Sequence, residues 1–352
     1  MRDGRTDSGA RLWIAGLTGI IAGISPLAAR NKLPQGRATR GQRMKVGVIM
    51  NPIAGGGGLK RRWPEIAAAL TRHLGAFEMR ETQAPGDAER LALVFAASGC
   101  DLVIAAGGDG TASEAADGLL GQTGHAAALG ILPCGTGVDF ARGLGLPRDF
   151  DAAIKRIAQA APRRIDAGRI SYVDDHGALA SRHFINIASL GLSGATDRAV
   201  NADKRKGRVS AKALFFWRTL VEFARYRFQD VRITVDDGVP VEARMALVAV
   251  ANGKFFGGGM MIAPDAKLDD GLFDIVIVRA AGKIGLIRDL KLLYDGRHRG
   301  HKAITILRGK KVMVEPLGEG LANAALVDID GESPGRIPAT FEILPGALRV
   351  RG

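Results

Sequence analysis

The chain has little cysteine. Only Cys100 and Cys134 occur in 352 residues. Two are too few for a disulfide scaffold and show no metal-ligand spacing, so a reducing compartment is the default. No GxxxxGK[ST] occurs, which excludes a P-loop, and no GxGxxG, which excludes the common dinucleotide fingerprint. Helix-turn-helix, RNP and zinc-finger patterns are absent as well, so no nucleic-acid partner is expected despite the basic charge. There are no internal repeats and no long low-complexity linker in the core. What remains is the composition of an ordered globular protein, 47% hydrophobic and 24% charged. The length suits about two domains of ~100–200 residues each. Glycine is abundant at 48 residues, and the net charge is +13. Glycine points to tight turns and to close approach of backbone and ligand. The charge favours solubility or attraction to phosphate-bearing partners, among them an anionic membrane surface.

Residues 1–43 stand apart. They carry eight Lys/Arg against two Asp. Within them LWIAGLTGIIAGISPLAA (12–29) is uncharged for 18 residues, close to the ~20 that span a bilayer. Three readings are open: a secretory signal, a single membrane anchor, or translation from too early a start, since Met44 directly precedes the first strand. An anchor followed by Arg30, Lys32, Arg37, Arg40 and Arg43 would hold the rest in the cytoplasm.

From residue 45 to 133 short apolar runs alternate with helical spacing. KVGVIM (45–50), FEMRET (77–82), DLVIAA (101–106) and ALGILP (128–133) read as strands, with helices over 60–73, 86–98 and 111–120. Apolar strands without in/out alternation argue a parallel sheet covered on both faces. Ligands of such sheets sit at the carboxyl ends of the strands. Three glycine-rich loops lie there: 51–58, 107–111 and 134–138. After about residue 166 the pattern becomes strand and turn, as in an antiparallel β-sandwich, with DDG (236–238) as a hairpin turn and one helix over roughly 207–227. The expected fold is therefore an α/β domain with a parallel sheet (44–166) plus an antiparallel β-sandwich domain (167–352).

AAGGDGTASEAADG (105–118) follows a strand and opens a helix. The amides of Gly107, Gly108, Gly110 and Thr111 could face an anion, helped by the helix N-terminus. Asp109 would need a cation, a ribose or ordered water between itself and a phosphate, because like charges repel. The plainer alternative is a turn at Asp109-Gly110 with Thr111 as a helix cap.

GGDGT (107–111) resembles the nucleotide loop shared by diacylglycerol kinase catalytic domains, NAD kinases and 6-phosphofructokinases. MNPIAGGG (50–57), LPCGTGVDFARGLGLP (132–147), Asp166 in RRIDAGRI, APDAKLDDGLFDIVIV (263–278) and DIDGE (328–332) then resemble, in order, the segments of the diacylglycerol kinase family. Two departures stand out. Ala54 occupies a position where the family often has Ser, and Val138 one where it usually has Asn.

The resemblance implies nucleotide contacts at Asn51, Thr82, Gly108, Asp109, Gly110, Thr111, Ala112, Ser113, Glu114 and Thr136. It implies a water and Mg²⁺ network of Asp109, Asp139 and Asp166. It also implies a metal held by Asp270 with the carbonyls of Lys267 and Leu272. Glu332 becomes the base that takes a hydroxyl proton, supported by Asp330. The implied activity is an ATP- and Mg²⁺-dependent lipid kinase acting on a lipid alcohol, with diacylglycerol, phosphatidylglycerol, ceramide or a sphingoid base as acceptor. An NAD kinase-like enzyme and a non-catalytic nucleotide- or lipid-binding regulator are the alternatives. Residues 203–228, basic and then aromatic, could lie on an anionic bilayer or wall a lipid cleft. A peripheral position on the inner face of the cell membrane follows from this reading, and a homodimer is left open.

Overall fold

Val, Ile, Leu and Ala dominate the inner strands of the first sheet, and the fold buries both faces of them. In the computed structural model, residues 44–122, 127–135, 137–203, 211–280, 291–318 and 324–352 are described, and side chains from 217 onward in the helix that begins at 211. They belong to one compact unit, Met44–Gly352. The N-terminal expectations of anchor, signal or early start lie outside the described residues.

Strand β1 (Val46–Met50) leads through a glycine-rich segment, α1 (Ala54–Arg61), into α2 (Trp63–Leu74). Then come β2 (Phe77–Glu81), α3 (Asp87–Ala97), β3 (Leu102–Gly107), α4 (Asp109–Gly121) and β4 (Ala128–Pro133). The strands pair in parallel in the order β2-β1-β3-β4. Every residue of β3 is buried. Val103 and Ala105 face α3 and α4, and Leu102, Ile104 and Ala106 face the cluster containing Ile66 and Leu70 of α2. Burial on both faces is why these strands read as unbroken apolar runs.

Helices α3 and α4 cross closely because Gly118 has no side chain. A Cβ there would lie 2.3 Å from the Glu89 carbonyl oxygen. Gly118→Ala is therefore expected to destabilise the fold by about 1–3 kcal/mol. Urea unfolding of the two proteins checks this, and an unchanged midpoint would contradict the close crossing.

Two short helices follow, α5 (Asp139–Gly143) and α6 (Phe150–Gln159). The chain then enters the antiparallel part with β5 (Arg163–Asp174), β6 (Leu179–Phe184) and β7 (Ile187–Gly191). Helices α7 (Leu192–Ala202) and α8 (Ala211–Arg225) interrupt it. Next are β8 (Gln229–Val235), β9 (Val241–Ala251), β10 (Phe273–Arg279), β11 (Ile304–Gly309), β12 (Lys311–Pro316), β13 (Val327–Ile329) and β14 (Gly335–Arg351). The turn between β8 and β9 holds Asp236 at φ 52°, as the DDG reading requires. An apolar interior of Phe184, Phe273, Phe341, Val248 and Val312 fills this sandwich-like part.

The 17-residue strand β14 ties the two parts together. Its middle pairs with β5 and β12, and its last residues, Val350 and Arg351, pair in parallel with Leu129 and Gly130 of β4. The chain end thus becomes a fifth strand of the first sheet. Asp166 anchors this return. Its two carboxylate oxygens accept from the amides of Gly271 and Gly346, each at 2.7 Å. The loop before β10 and the irregular stretch of β14 are thereby pinned to β5.

Candidate active site

The three glycine-rich loops meet at the carboxyl ends of β1, β3 and β4. A Cβ on Gly135 would sit 3.3 Å from Gly108 Cα, and one on Gly55 would sit 3.0 Å from Cys134 Sγ. Gly55, Gly56 and Gly57 all have positive φ. A residue with a side chain would be strained at each, which explains the glycine run. Asn51 fastens the first loop to the second, since its Nδ2 donates to Thr111 Oγ1 at 3.0 Å. Thr82 sits one residue past β2 and donates its amide to the Met50 carbonyl at 2.9 Å. Thr136 lies outside the described residues.

The helix opened by GGDGT has protein partners along its first two turns. Thr111 and Ala112 are buried. Ser113 Oγ donates to Asp330 Oδ2 at 2.8 Å, and Glu114 accepts from the Ala88 amide at 3.1 Å, capping α3. One turn further, Asp117 Oδ1 lies 2.7 Å from His183 Nδ1, and its other oxygen is 3.7 Å from Arg182 Nε. Ser113 and Asp117 stand four residues apart, on one face of α4. That face meets the DIDGE turn.

Asp109 points the other way. Its two oxygens accept from the amides of Asp139 and Phe140, each at 3.1 Å, and so cap α5. Asp139 is buried and accepts from the Gly258 amide at 2.7 Å and from Arg142 at 2.8 Å. Burial raises the pKa of both carboxyls, and for Asp139 the nearby Asp109 adds to the rise. A Cβ on Gly137 would lie 3.0 Å from one Asp109 oxygen and 3.7 Å from one of Asp139. The two carboxylates therefore face a common point with like charge, and their hard oxygen donors fit Mg²⁺ completed by phosphate and water.

Val138, between them, has φ 47° and ψ 44°. A β-branched residue is strained there, whereas Asn is at ease. Val138 is also buried in the apolar core, so an Asn there would trade about 1–2 kcal/mol of strain against lost apolar burial.

The DIDGE turn completes the arrangement. Asp330, at φ 49°, accepts from three amides, those of Ile185, Asn186 and Ile187 at 3.0–3.2 Å, besides Ser113. Desolvation raises its pKa, and those hydrogen bonds work against the rise. Glu332 Oε2 pairs with Arg182 at 2.7 Å, and its side chain is 40% exposed. Arg182 and Asp117 escape sequence reasoning because their partners lie far along the chain.

Asp270 lies elsewhere, on the loop that Asp166 pins. Its carboxylate pairs with Arg308 and accepts from the Leu272 amide. Arg308 thus partners the carboxylate that the resemblance offers to a metal together with the carbonyls of Lys267 and Leu272. Among the described residues no group of three His, Cys, Asp or Glu could hold a metal.

One cavity of about 1160 Å³ joins the parts. Asp109, Gly110 and Asp139 line it on one side, and Asp330 and Glu332 on another. The rest is largely apolar, with Leu192, Leu220, Phe223, Leu247 and Met260. Leu220 and Phe223 come from α8, the aromatic segment, whereas Trp217 of the same helix is 54% exposed. Among the described residues no helix is long and apolar enough to cross a membrane.

Residues 45–170 match the family described as diacylglycerol kinase catalytic domain. Residues 186–352 match the YegS C-terminal NAD kinase beta sandwich-like domain. A diacylglycerol kinase of Staphylococcus saprophyticus is 30% identical over 309 residues, covering 88% of this chain and 95% of the relative. The chain belongs to the diacylglycerol kinase family. One from Mycobacterium tuberculosis is 31% identical over 318 residues, covering 90% of this chain and 97% of the relative. A crystal structure of a diacylglycerol kinase from Bacillus anthracis superposes with a TM-score of 0.64 at 26% identity, covering 87% of this chain and 96% of that one. The α/β part with a parallel sheet and the β-sandwich-like part are thus the architecture of the family, and membership supports a kinase activity.

Proposed function

We propose that this protein is an ATP-dependent lipid kinase that phosphorylates the hydroxyl of a lipid alcohol, with nucleotide held by residues 44–166 and lipid by 167–352. The observation that carries the reading is the shared cavity. It puts the carboxylates beside the glycine loops, the Glu332 carboxylate and an apolar chamber in one space. A small polar acceptor would not need the chamber, whereas an acyl chain would. The names of the relatives agree with diacylglycerol as the acceptor.

In this reading the amides of the glycine loops and the N-terminus of α4 hold the nucleotide phosphates. The lipid oxygen attacks the γ-phosphorus as its proton passes to Glu332, and the bond from the γ-phosphorus to the ADP oxygen breaks. Asp330 does not take the proton. Its four hydrogen bonds fix the turn that presents Glu332. Asp109 and Asp139 would hold Mg²⁺, which neutralises phosphate charge when bound with nucleotide. The exposed Trp217, next to the basic segment, suits peripheral contact with an anionic membrane face.

The test is release of ADP by the purified chain with vesicles containing diacylglycerol, phosphatidylglycerol, ceramide or a sphingoid base. Stimulation by one such lipid, with label from [γ-³²P]ATP in the extracted lipid, is expected. Turnover indifferent to every lipid would refute the reading.

A further inference from the structure

The proposed proton acceptor does not stand alone. Glu332 Oε2 accepts from Arg182 Nη1 at 2.7 Å, which leaves Oε1 for the lipid hydroxyl. Behind Arg182 lies a second carboxylate. Asp117 Oδ2 is 3.7 Å from Arg182 Nε. Asp117 Oδ1 lies 2.7 Å from His183 Nδ1 and accepts from the His183 amide at 3.3 Å. Arg182 comes from β6, Asp117 from α4 and Glu332 from the turn before β14. One guanidinium thus stands between two carboxylates from distant parts of the chain. Glu332 lines the cavity, whereas Arg182 and Asp117 do not. The latter two therefore act on the reaction only through Glu332.

The two carboxylates sit in different surroundings. The Glu332 side chain is 40% exposed and that of Asp117 12%. Burial opposes the charge of the Arg182 guanidinium, while Glu332 and Asp117 sustain it. Such interactions are reciprocal, so Arg182 favours the ionised form of both acids. The other titratable groups around them are Glu89 on α3, Glu114 on α4, Tyr172 and Asp174 on β5 and His183 on β6. Burial raises the pKa of Tyr172, which stays neutral. Burial also raises that of Glu89, and Asp117 adds to the rise.

We propose that Arg182 is the positioning residue of the proton acceptor and that Asp117 is its reserve counter-ion. The proposal rests on reading Glu332 as the base, and it deepens that reading. Before transfer, the guanidinium holds the Glu332 carboxylate in one orientation and keeps it ionised. The hydroxyl proton then passes to Glu332, whose negative charge is lost. A half-buried cation left without a partner would oppose that step. Asp117 removes the obstacle, because a small rotation closes the 3.7 Å gap to Arg182 Nε. Arg182 keeps its own protons throughout. The two neighbours pull on the base in opposite directions: Arg182 fixes its aim and weakens it, and Asp117 restores its strength.

The test measures kcat and KM for label transfer from [γ-³²P]ATP along the acidic limb of the pH profile. The acceptors are diacylglycerol, phosphatidylglycerol, ceramide and a sphingoid base in mixed micelles. Arg182→Met is expected to lower kcat about tenfold or more, the scale of one hydrogen bond to a charged group, with KM for ATP and lipid within about threefold of wild type. The base works when ionised, so loss of the cation should move the acidic limb to higher pH, by about half a unit for a pair partly in water. Asp117→Asn keeps an acceptor for His183 and should move the limb to lower pH. Arg182→Lys keeps the charge and should hold the wild-type limb while recovering part of kcat. If Arg182→Met folds poorly, the opposite shift in Asp117→Asn still decides. Lower rates with fixed limbs, or limbs that move the same way in both variants, would make Arg182 a structural contact and overturn the proposal. Fixed limbs beside an inactive Glu332→Gln overturn the positioning role alone, whereas full turnover by Glu332→Gln removes the base and the role with it. Absence of label in all four lipids would refute the lipid reading and this proposal together.

Discussion

Asp330→Ala is expected to destabilise the protein by about 3 kcal/mol or more, because it strips partners from several buried amides at once. The carboxylate accepts from Ile185, Asn186 and Ile187 and from the Ser113 hydroxyl. Those amides sit where β6 passes into β7. Desolvation of the charge subtracts from what the wild-type contacts contribute, and it has already raised the Asp330 pKa. For the charge itself desolvation outweighs the hydrogen bonds, and the cost of the substitution comes from the donors it leaves without an acceptor. Asp330→Asn keeps one acceptor oxygen and should fall between the two. Denaturant unfolding measures all three proteins. An Asp330→Ala variant as stable as wild type would mean the turn is held by something else.

Glu332→Gln is expected to lower lipid-dependent turnover by about 10²–10⁴-fold, the range a positioned general base supplies. The substitution keeps the size of the side chain and removes only the ability to take a proton. It also breaks the charge pair with Arg182. Arg182 keeps Asp117 as a neighbour, so the turn should survive. Glu332 is far from the glycine loops in sequence, so nucleotide affinity should stay within about threefold of wild type. Loss of turnover with nucleotide affinity kept is the signature of a group that acts only in the transition state. Equal loss of both would point to a collapsed site.

The first sheet is legible in the sequence because β1, β3 and β4 are buried on both faces. LVIAAG (102–107) has no polar residue, and the loops that follow β1, β3 and β4 announce themselves by glycine. The carboxylates Asp109, Asp139, Asp330 and Glu332 are legible as motifs, and the fold does bring them to one cavity. Their partners are not legible. Arg182 reaches Glu332 across 150 positions, and Ser113 reaches Asp330 across 217. Nothing local marks such pairs. The family resemblance assigns Ser113 and Glu114 to a nucleotide and does not reveal their protein partners, the distant turn that Ser113 holds and the helix α3 that Glu114 caps. Asp270 shows the same limit, for the sequence displays the carboxylate but hides Arg308 upon it. The return of β14 to the first sheet is also hidden, since its last residues look like any closing strand.

The most direct measurement supplies lipid alcohol in micelles and NAD⁺ in solution to the same reaction with [γ-³²P]ATP. The phases are then separated and the label counted in each. The account predicts label in the lipid phase, lost with Glu332→Gln, and none in the dinucleotide. Label in the dinucleotide with a blank lipid phase would contradict it.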